Sequence, residues 1–283
     1  MAAVTDEYRK LVLEDIETYD GLNQPLHASF IERLITKKAD INKLHPNPSD
    51  EFSMPEIGPN YGIVGNYEKT FRENMKHLLE PMEEALVIEK MSTGGYMLLN
   101  GHHRWMAAHR IALEKVPVEL VNVTPEDELI KKIKASDKEI CVSIDLDEVL
   151  MKDEPMRFPF NLYYKKSLRK NAGVLINELH QMGIDVWVYT GNYYSDSYIN
   201  GLFRINRSKV DGIVNNVRNK KSNPRLKDAF REKYNYSLHI DNESIICVNL
   251  KQGDYDIIDI VPSDSNWAAE AMSAIRNMDF IKK

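Results

Sequence analysis

The run Cys141-Val142-Ser143-Ile144-Asp145-Leu146-Asp147-Glu148-Val149-Leu150 begins as an apolar strand and reaches two carboxylates two residues apart. Both fall near the strand's carboxyl end, where open α/β sheets place their ligands. Crowded there, two acidic groups repel each other unless a cation lies between them, and a hard, oxygen-seeking ion such as Mg²⁺ suits that donor set. One carboxylate is then available to attack phosphorus and the other to handle a proton. A strand that merely stops in an acidic turn has the same local sequence, so the downstream residues decide between the two.

Downstream of Leu150, strands and helices alternate. The patterning predicts strands at 140–145, 184–189, 210–217, 237–241 and 255–261, with helices near 166–182, 195–204, 224–234 and 265–278. Such alternation implies a mainly parallel sheet covered by helices. Chemistry-bearing residues fall at the ends of successive strands. Val186–Tyr189 leads into Thr190-Gly191-Asn192, whose hydroxyl and backbone N–H groups suit a phosphoryl oxygen. Lys220 and Lys221 stand before a helix opened by Pro224, and either supplies a point charge for phosphate. Leu238-His239-Ile240 ends at Asp241-Asn242-Glu243, which offers further oxygen ligands for a cation. Singly these are a cap, a surface pair and a turn. Their order, each at a predicted strand end, is what gives them weight.

On those motifs, residues 138–283 resemble the haloacid dehalogenase-like (HAD) superfamily. The resemblance implies a Rossmann-like three-layer α/β domain in which Asp145 is the nucleophile that forms an aspartyl-phosphate. Asp147 then acts as general acid and base, with Thr190 and Lys220 or Lys221 on the phosphate. It also implies Mg²⁺ held by Asp145, by Asp147 through its main chain, and by the acidic motif at Asp241 and Glu243. Asn242 departs from the family pattern, where a second Asp is common. Asp147 and Thr190 are 43 positions apart, a length already used by a flap, a helix and a strand. The stretch from Thr190 to Lys220 holds only a helix and a strand. Neither gap has room for a cap domain, so the site is open, suiting a bulky substrate or closure by a neighbouring domain.

The 283 residues allow one large or two ordinary domains, and 43% hydrophobic with 28% charged residues fits a globular chain. No apolar run is long enough for a membrane span, and the polar amino terminus does not read as a signal peptide. Cys141 and Cys247 lie in apolar runs and read as core residues of a reducing, cytoplasmic protein. The net charge of −6 is uneven. Residues 1–137 carry 16 basic and 23 acidic side chains, residues 138–283 carry 21 and 20, and Arg204–Lys233 holds ten basic against three acidic. That basic segment reads as a solvated face or as an arm steering a polyanion.

The first part has its own site. Helix-like spacing runs through residues 6–44, and breakers from His45 to Gly65 imply loop. A helix is expected over Tyr67–Leu79, and Tyr61–Tyr67, with Gly62 and Gly65, is expected as a flexible lid. Leu99-Asn100-Gly101-His102-His103-Arg104 places a tight turn between a strand and a helix, so Asn100, Gly101, the two imidazoles, Arg104 and the helix N–H groups form a candidate phosphate site. The bland reading is a polar cap with Arg104 in a surface ion pair. Thr124-Pro125 reads as the cap and first position of a helix, dividing the chain into residues 1–124, a helical linker at 125–137, and 138–283.

Tyr96-x-Leu98-Leu99-Asn100-Gly101-x-x-Arg104-x-x-Ala107, with Val116-Pro117-Val118 and the upstream His45-Pro46-Asn47-Pro48, resembles the ParB/sulfiredoxin-like fold over roughly residues 40–123. The resemblance implies a small α+β domain binding nucleotide phosphates, with ATP or ADP as its ligand. His102 stands where sulfiredoxins carry a reactive Cys, which argues against that activity. The Gly-His-His-Arg wording is closest to kinases of free serine, whose glutamate base would be Glu51 or Glu56.

The expectation is therefore a Mg²⁺-dependent phosphohydrolase or phosphotransferase in the second domain, joined to a nucleotide-binding, kinase-like first domain. Its partner would be a phosphorylated small molecule or nucleotide. Two alternatives are a nucleic-acid end-processing kinase–phosphatase, drawn from the basic segment, and a nucleotide sensor without turnover. The paired Asp145 and Asp147 disfavour the sensor.

Overall fold

The computed structural model describes residues 5–19, 24–216, 223–241, 243–259 and 266–278. The chain divides into two compact units, Met1–Asn122 and Val123–Lys283. The helix-like spacing at the start of the first unit gives α1 (Asp6–Tyr8), a π-helical turn at Arg9–Leu13, α2 (Glu14–Tyr19) and α3 (Phe30–Ile35), the last closed by a Ser29/Glu32 capping box. α-Helical structure stops there rather than at residue 44, because short strands begin, with one 3₁₀ turn at Ile41–Lys43 between the first two. These are β1 (Lys38–Asp40), β2 (Leu44–Pro46), β3 (Leu86–Lys90), β4 (Tyr96–Asn100) and β5 (Lys115–Val121), ordered β1-β5-β3-β4-β2 in a mixed sheet.

Two helices position the first unit's site. α4 (Tyr61–Lys76) absorbs the expected lid, since the Asn60 side chain accepts from the Gly62 and Ile63 amides and starts the helix there. Gly62 and Gly65 thus sit in helical turns. α5 (His102–Arg110) follows β4 at once and buries Trp105, Met106, Ala107 and Ala108 in the core with Leu86, Ile88 and Leu98.

In the second unit, α6 (Glu126–Ala135) packs through Leu129 and Ile133 onto the sheet residues Cys141, Trp187 and Val214. Its N-cap is Pro125 rather than Thr124, whose hydroxyl donates instead to the Asp196 carboxylate. β6 (Ile140–Asp145) leads through a π-helical turn, Leu146–Leu150, into a small hairpin of β7 (Met151–Lys152) and β8 (Ser167–Leu168). Next in the chain come α7 (Ala172–Gln181), β9 (Ile184–Tyr189), α8 (Asp196–Ile205), β10 (Gly212–Val214), α9 (Pro224–Lys233), β11 (Tyr236–Ile240), β12 (Ser244–Asn249), β13 (Tyr255–Asp259) and α10 (Trp267–Arg276).

The sheet order is β10-β9-β6-β11-β12-β13; the first four strands pair in parallel, and β12 and β13 run antiparallel. The sheet is therefore mainly parallel, and β12 is an addition to the sequence expectation. Side chains alternate across it. Val142, Ile144, Val186, Val188, Leu238 and Ile240 pack with α7 and α10 on one face, while Cys141 and Trp187 pack with α6 and α9 on the other. Both cysteines are buried, and burial pushes the Cys141 thiol up to about 12. No helix among the described residues is long and apolar enough to cross a membrane.

Candidate functional site

Strand alternation leaves Ser143 and Asp145 on the face of β6 that also carries Cys141. In register with them, Asp145 pairs with Tyr189 of β9 and Ser143 with His239 of β11. Ser143, Asp145, Tyr189 and His239 line a cavity of about 580 Å³ together with Asp147, Glu148, Gly191, Asn192 and Lys227 of α9. Asp145 caps the π-helical turn: its Oδ1 accepts the Glu148 amide at 2.7 Å, and Oδ2 has no hydrogen-bond partner among the described residues. Asp147 is held at both oxygens. Oδ2 accepts from the Thr190 hydroxyl at 2.5 Å and Oδ1 from the Tyr194 hydroxyl at 2.8 Å. Thr190 is fully buried, donates its amide to the Val214 carbonyl, and accepts the Asn192 amide at 3.0 Å.

The strand expected over 210–217 stops at Val214 because the next two residues serve this loop. Asn215 Oδ1 accepts the Tyr194 amide at 2.9 Å, and the Asn216 amide donates to the Asn192 carbonyl. On the cavity wall, Ser143 Oγ lies 2.9 Å from His239 Nδ1 and donates to the Leu238 carbonyl.

The cavity thus gathers Asp145, Asp147, Gly191 and Asn192, with Thr190 bonded to Asp147 from behind. Asp241 and Glu243 do not line it. β12 turns back antiparallel, so both sit in the β11–β12 turn, with the Asp241 amide on the Ser244 carbonyl. No cluster of three or more His, Cys, Asp or Glu at metal-binding spacing occurs among the described residues. Asp145 and Asp147 both line the cavity, so it presents carboxylate residues, the donor type that a hard cation takes. Lys220 and Lys221 lie outside the described residues. Sequence reasoning missed Tyr194, Lys227, His239 and Ser143; a Lys one helical turn beyond the Pro224 start was the available signal for Lys227.

The first unit has a cavity of about 290 Å³ lined by Asp50, Ile63, Tyr67, Asn100, Gly101, His102, His103 and Arg104. Gly101 takes φ +98°, and a Cβ there would lie 2.5 Å from Leu86 Cδ2, so only glycine turns β4 into α5 this tightly. The imidazoles are engaged with protein amides. His102 Nε2 accepts the Asn47 amide at 3.2 Å, and His103 Nε2 accepts the Asn60 amide at 3.0 Å. Burial depresses the pKa of both, His102 to about 4, against the opposing pull of Asp50. Both rings therefore clamp loops as neutral groups, and the positive character comes from Arg104 and the first turn of α5. Arg104 Nη1 meets Glu84 Oε2 at 2.8 Å and the Glu84 carbonyl at 3.1 Å. Neither Glu51 nor Glu56 lines the cavity, whereas Asp50 does.

The His102 clamp has a pH signature. The folded state keeps the imidazole neutral down to about 4, while the unfolded chain protonates near the ordinary 6.5. Between those values the unfolded state binds more protons, so stability present above pH 6.5 is lost as pH falls towards 4, by roughly 3 kcal/mol at most. Hydrogen exchange of α5 amides across that window should show the loss, and His102→Gln should flatten it. An unchanged slope in the variant would assign the effect elsewhere.

No protein-family model and no curated protein matches the chain. Among solved structures it is similar to the C-terminally truncated chromosome-partitioning protein ParB from Caulobacter crescentus, complexed to the centromeric parS site. The identity is 19% over 36% of this chain, with a TM-score of 0.24. The match spans about half, 49%, of that ParB chain.

Proposed function

We propose that the second unit is a Mg²⁺-dependent phosphohydrolase or phosphotransferase of HAD type, working through an aspartyl-phosphate on Asp145. The observation that carries this reading is the division of labour between two carboxylates lining one cavity. Asp145 keeps Oδ2 without a partner among the described residues, while Asp147 is gripped at both oxygens by hydroxyls. A nucleophile needs an open lone pair, and a proton carrier needs a fixed direction.

In the first half-reaction Asp145 Oδ2 forms a bond to phosphorus as the ester P–O bond breaks, and the departing oxygen takes a proton from Asp147. In the second, water attacks the phosphorus and gives a proton to Asp147; inorganic phosphate leaves and the Asp145 carboxylate is restored. Thr190 holds Asp147 throughout, and Lys227, on the cavity wall, offsets phosphate charge. Asp145 and Asp147 are the residues that would hold Mg²⁺, which would supply charge neutralisation for the transferring phosphoryl group. Turnover of a phosphate-ester panel by wild type against Asp145→Asn tests the reading.

The first unit, in the same proposal, binds the phosphate of a nucleotide such as ATP or ADP at the α5 N-terminus and Arg104. Its support is the cavity at Gly101–Arg104, with Asp50, 3.7 Å from His102 Nδ1, as the acidic group for a hydroxyl substrate. Arg104→Ala should weaken ADP binding about tenfold or more in calorimetry, since a charge-assisted phosphate contact is worth about 1.5–3 kcal/mol. Unaltered affinity would place the ligand elsewhere.

A further inference from the structure

We infer that Tyr194 is a positioning residue for Asp147: its hydroxyl, together with Thr190, fixes the direction in which that carboxylate exchanges its proton. The inference rests on the phosphoryl-transfer reading above.

Tyr194 approaches from the loop after β9 and donates to Asp147 Oδ1 at 2.8 Å, opposite the Thr190 bond to Oδ2. Two donors on the two oxygens fix both the position and the plane of a carboxylate, where one donor leaves it free to swing. Tyr194 is itself fixed at its backbone by Asn215 and at its ring by stacking on Tyr198, with centroids 6.0 Å apart and planes 11° apart. The stack continues into the hairpin loop between β7 and β8. Tyr198 meets Tyr164 at 4.9 Å and Tyr163 at 5.6 Å, and those two meet edge-on at 4.9 Å. Tyr164 is buried with its hydroxyl against Gly201 of α8, where any Cβ would collide with it. The proton carrier is thereby braced by four aromatic rings reaching the loop that comes after the nucleophile's own turn.

A misdirected Asp147 has a specific kinetic consequence. An aryl oxide leaves phosphorus unaided, whereas an alkoxide must be protonated as it departs. The test compares kcat/KM, which reports the steps up to ester cleavage, for an aryl phosphate and an alkyl phosphate with Mg²⁺. Wild type, Tyr194→Phe, Asp147→Asn and Asp145→Asn are compared. Tyr194→Phe keeps the ring and its stack, and thermal unfolding checks that it is folded. Losing one buried hydrogen bond should cost about tenfold on the alkyl ester and less than about twofold on the aryl ester. Asp147→Asn should show the same selectivity enlarged to about 100-fold or more. An equal fall on both esters, or none, overturns the positioning role while an active wild type and a silent Asp145→Asn leave the phosphoryl reading standing. Wild-type turnover no higher than that of Asp145→Asn removes the reading and this inference with it.

Discussion

Asp145→Asn is expected to lower kcat/KM for an aryl phosphate by at least about 10³-fold while leaving the fold intact, because removing a covalent nucleophile eliminates the first chemical step. The separation of the two effects comes from the two carboxylate oxygens. Oδ1 caps the Leu146–Leu150 turn by accepting the Glu148 amide, and an asparagine carbonyl oxygen accepts that bond equally well. Oδ2 has the reactive lone pair, and its replacement by an amide NH₂ leaves nothing to attack phosphorus. β6 sits between β9 and β11 at the middle of the sheet, so the strand itself should not shift. Unfolding midpoints matching wild type within error would assign the lost activity to chemistry. Retention of activity within about threefold would place the nucleophile on another residue.

Gly101→Ala should destabilise the first unit by about 2–4 kcal/mol, combining the left-handed backbone penalty of a Cβ with the cost of overpacking a core. The clash is with Leu86 Cδ2, 2.5 Å from the ideal Cβ, and Leu86 is fully buried in the unit's core. With no solvent to move into, Leu86 must displace its neighbours, or β4 must release α5. Either route also disturbs the cavity, because Asn100, His102, His103 and Arg104 are aimed by that turn. Ligand affinity and thermal stability should fall together. A variant as stable as wild type would mean that the turn has a second low-energy path.

The residues legible in the sequence are those fixed by strand periodicity. Asp145, Thr190 and Asp241 could be placed at strand ends because alternation of apolar side chains says where a buried strand stops. What escaped depends on how the chain returns. Ser244–Asn249 folds back beside β11, which puts Asp241 and Glu243 in a hairpin turn, and no local pattern announced it. Asn60 starts α4 six residues early because a side-chain cap outweighs two glycines, so a segment expected as a lid is helix. His102 and His103 line the cavity, and no local pattern showed that their Nε2 atoms also accept amides 55 and 43 residues away in sequence. Tyr194 was invisible for the same reason: its partner, Asp147, is brought to it by the parallel pairing of β6 and β9.

The chemistry proposed for the second unit turns on a covalent phosphoryl group on Asp145. Acid quenching of the wild-type protein during turnover of an aryl phosphate with Mg²⁺, followed by peptide mass mapping of the trapped adduct, looks for that group itself. The expected outcome is a single acid-stable, hydroxylamine-labile phosphoryl group on the peptide containing Asp145, absent from Asp145→Asn. Turnover with no adduct there, or an adduct on another residue that persists in Asp145→Asn, would rule out Asp145 as the nucleophile.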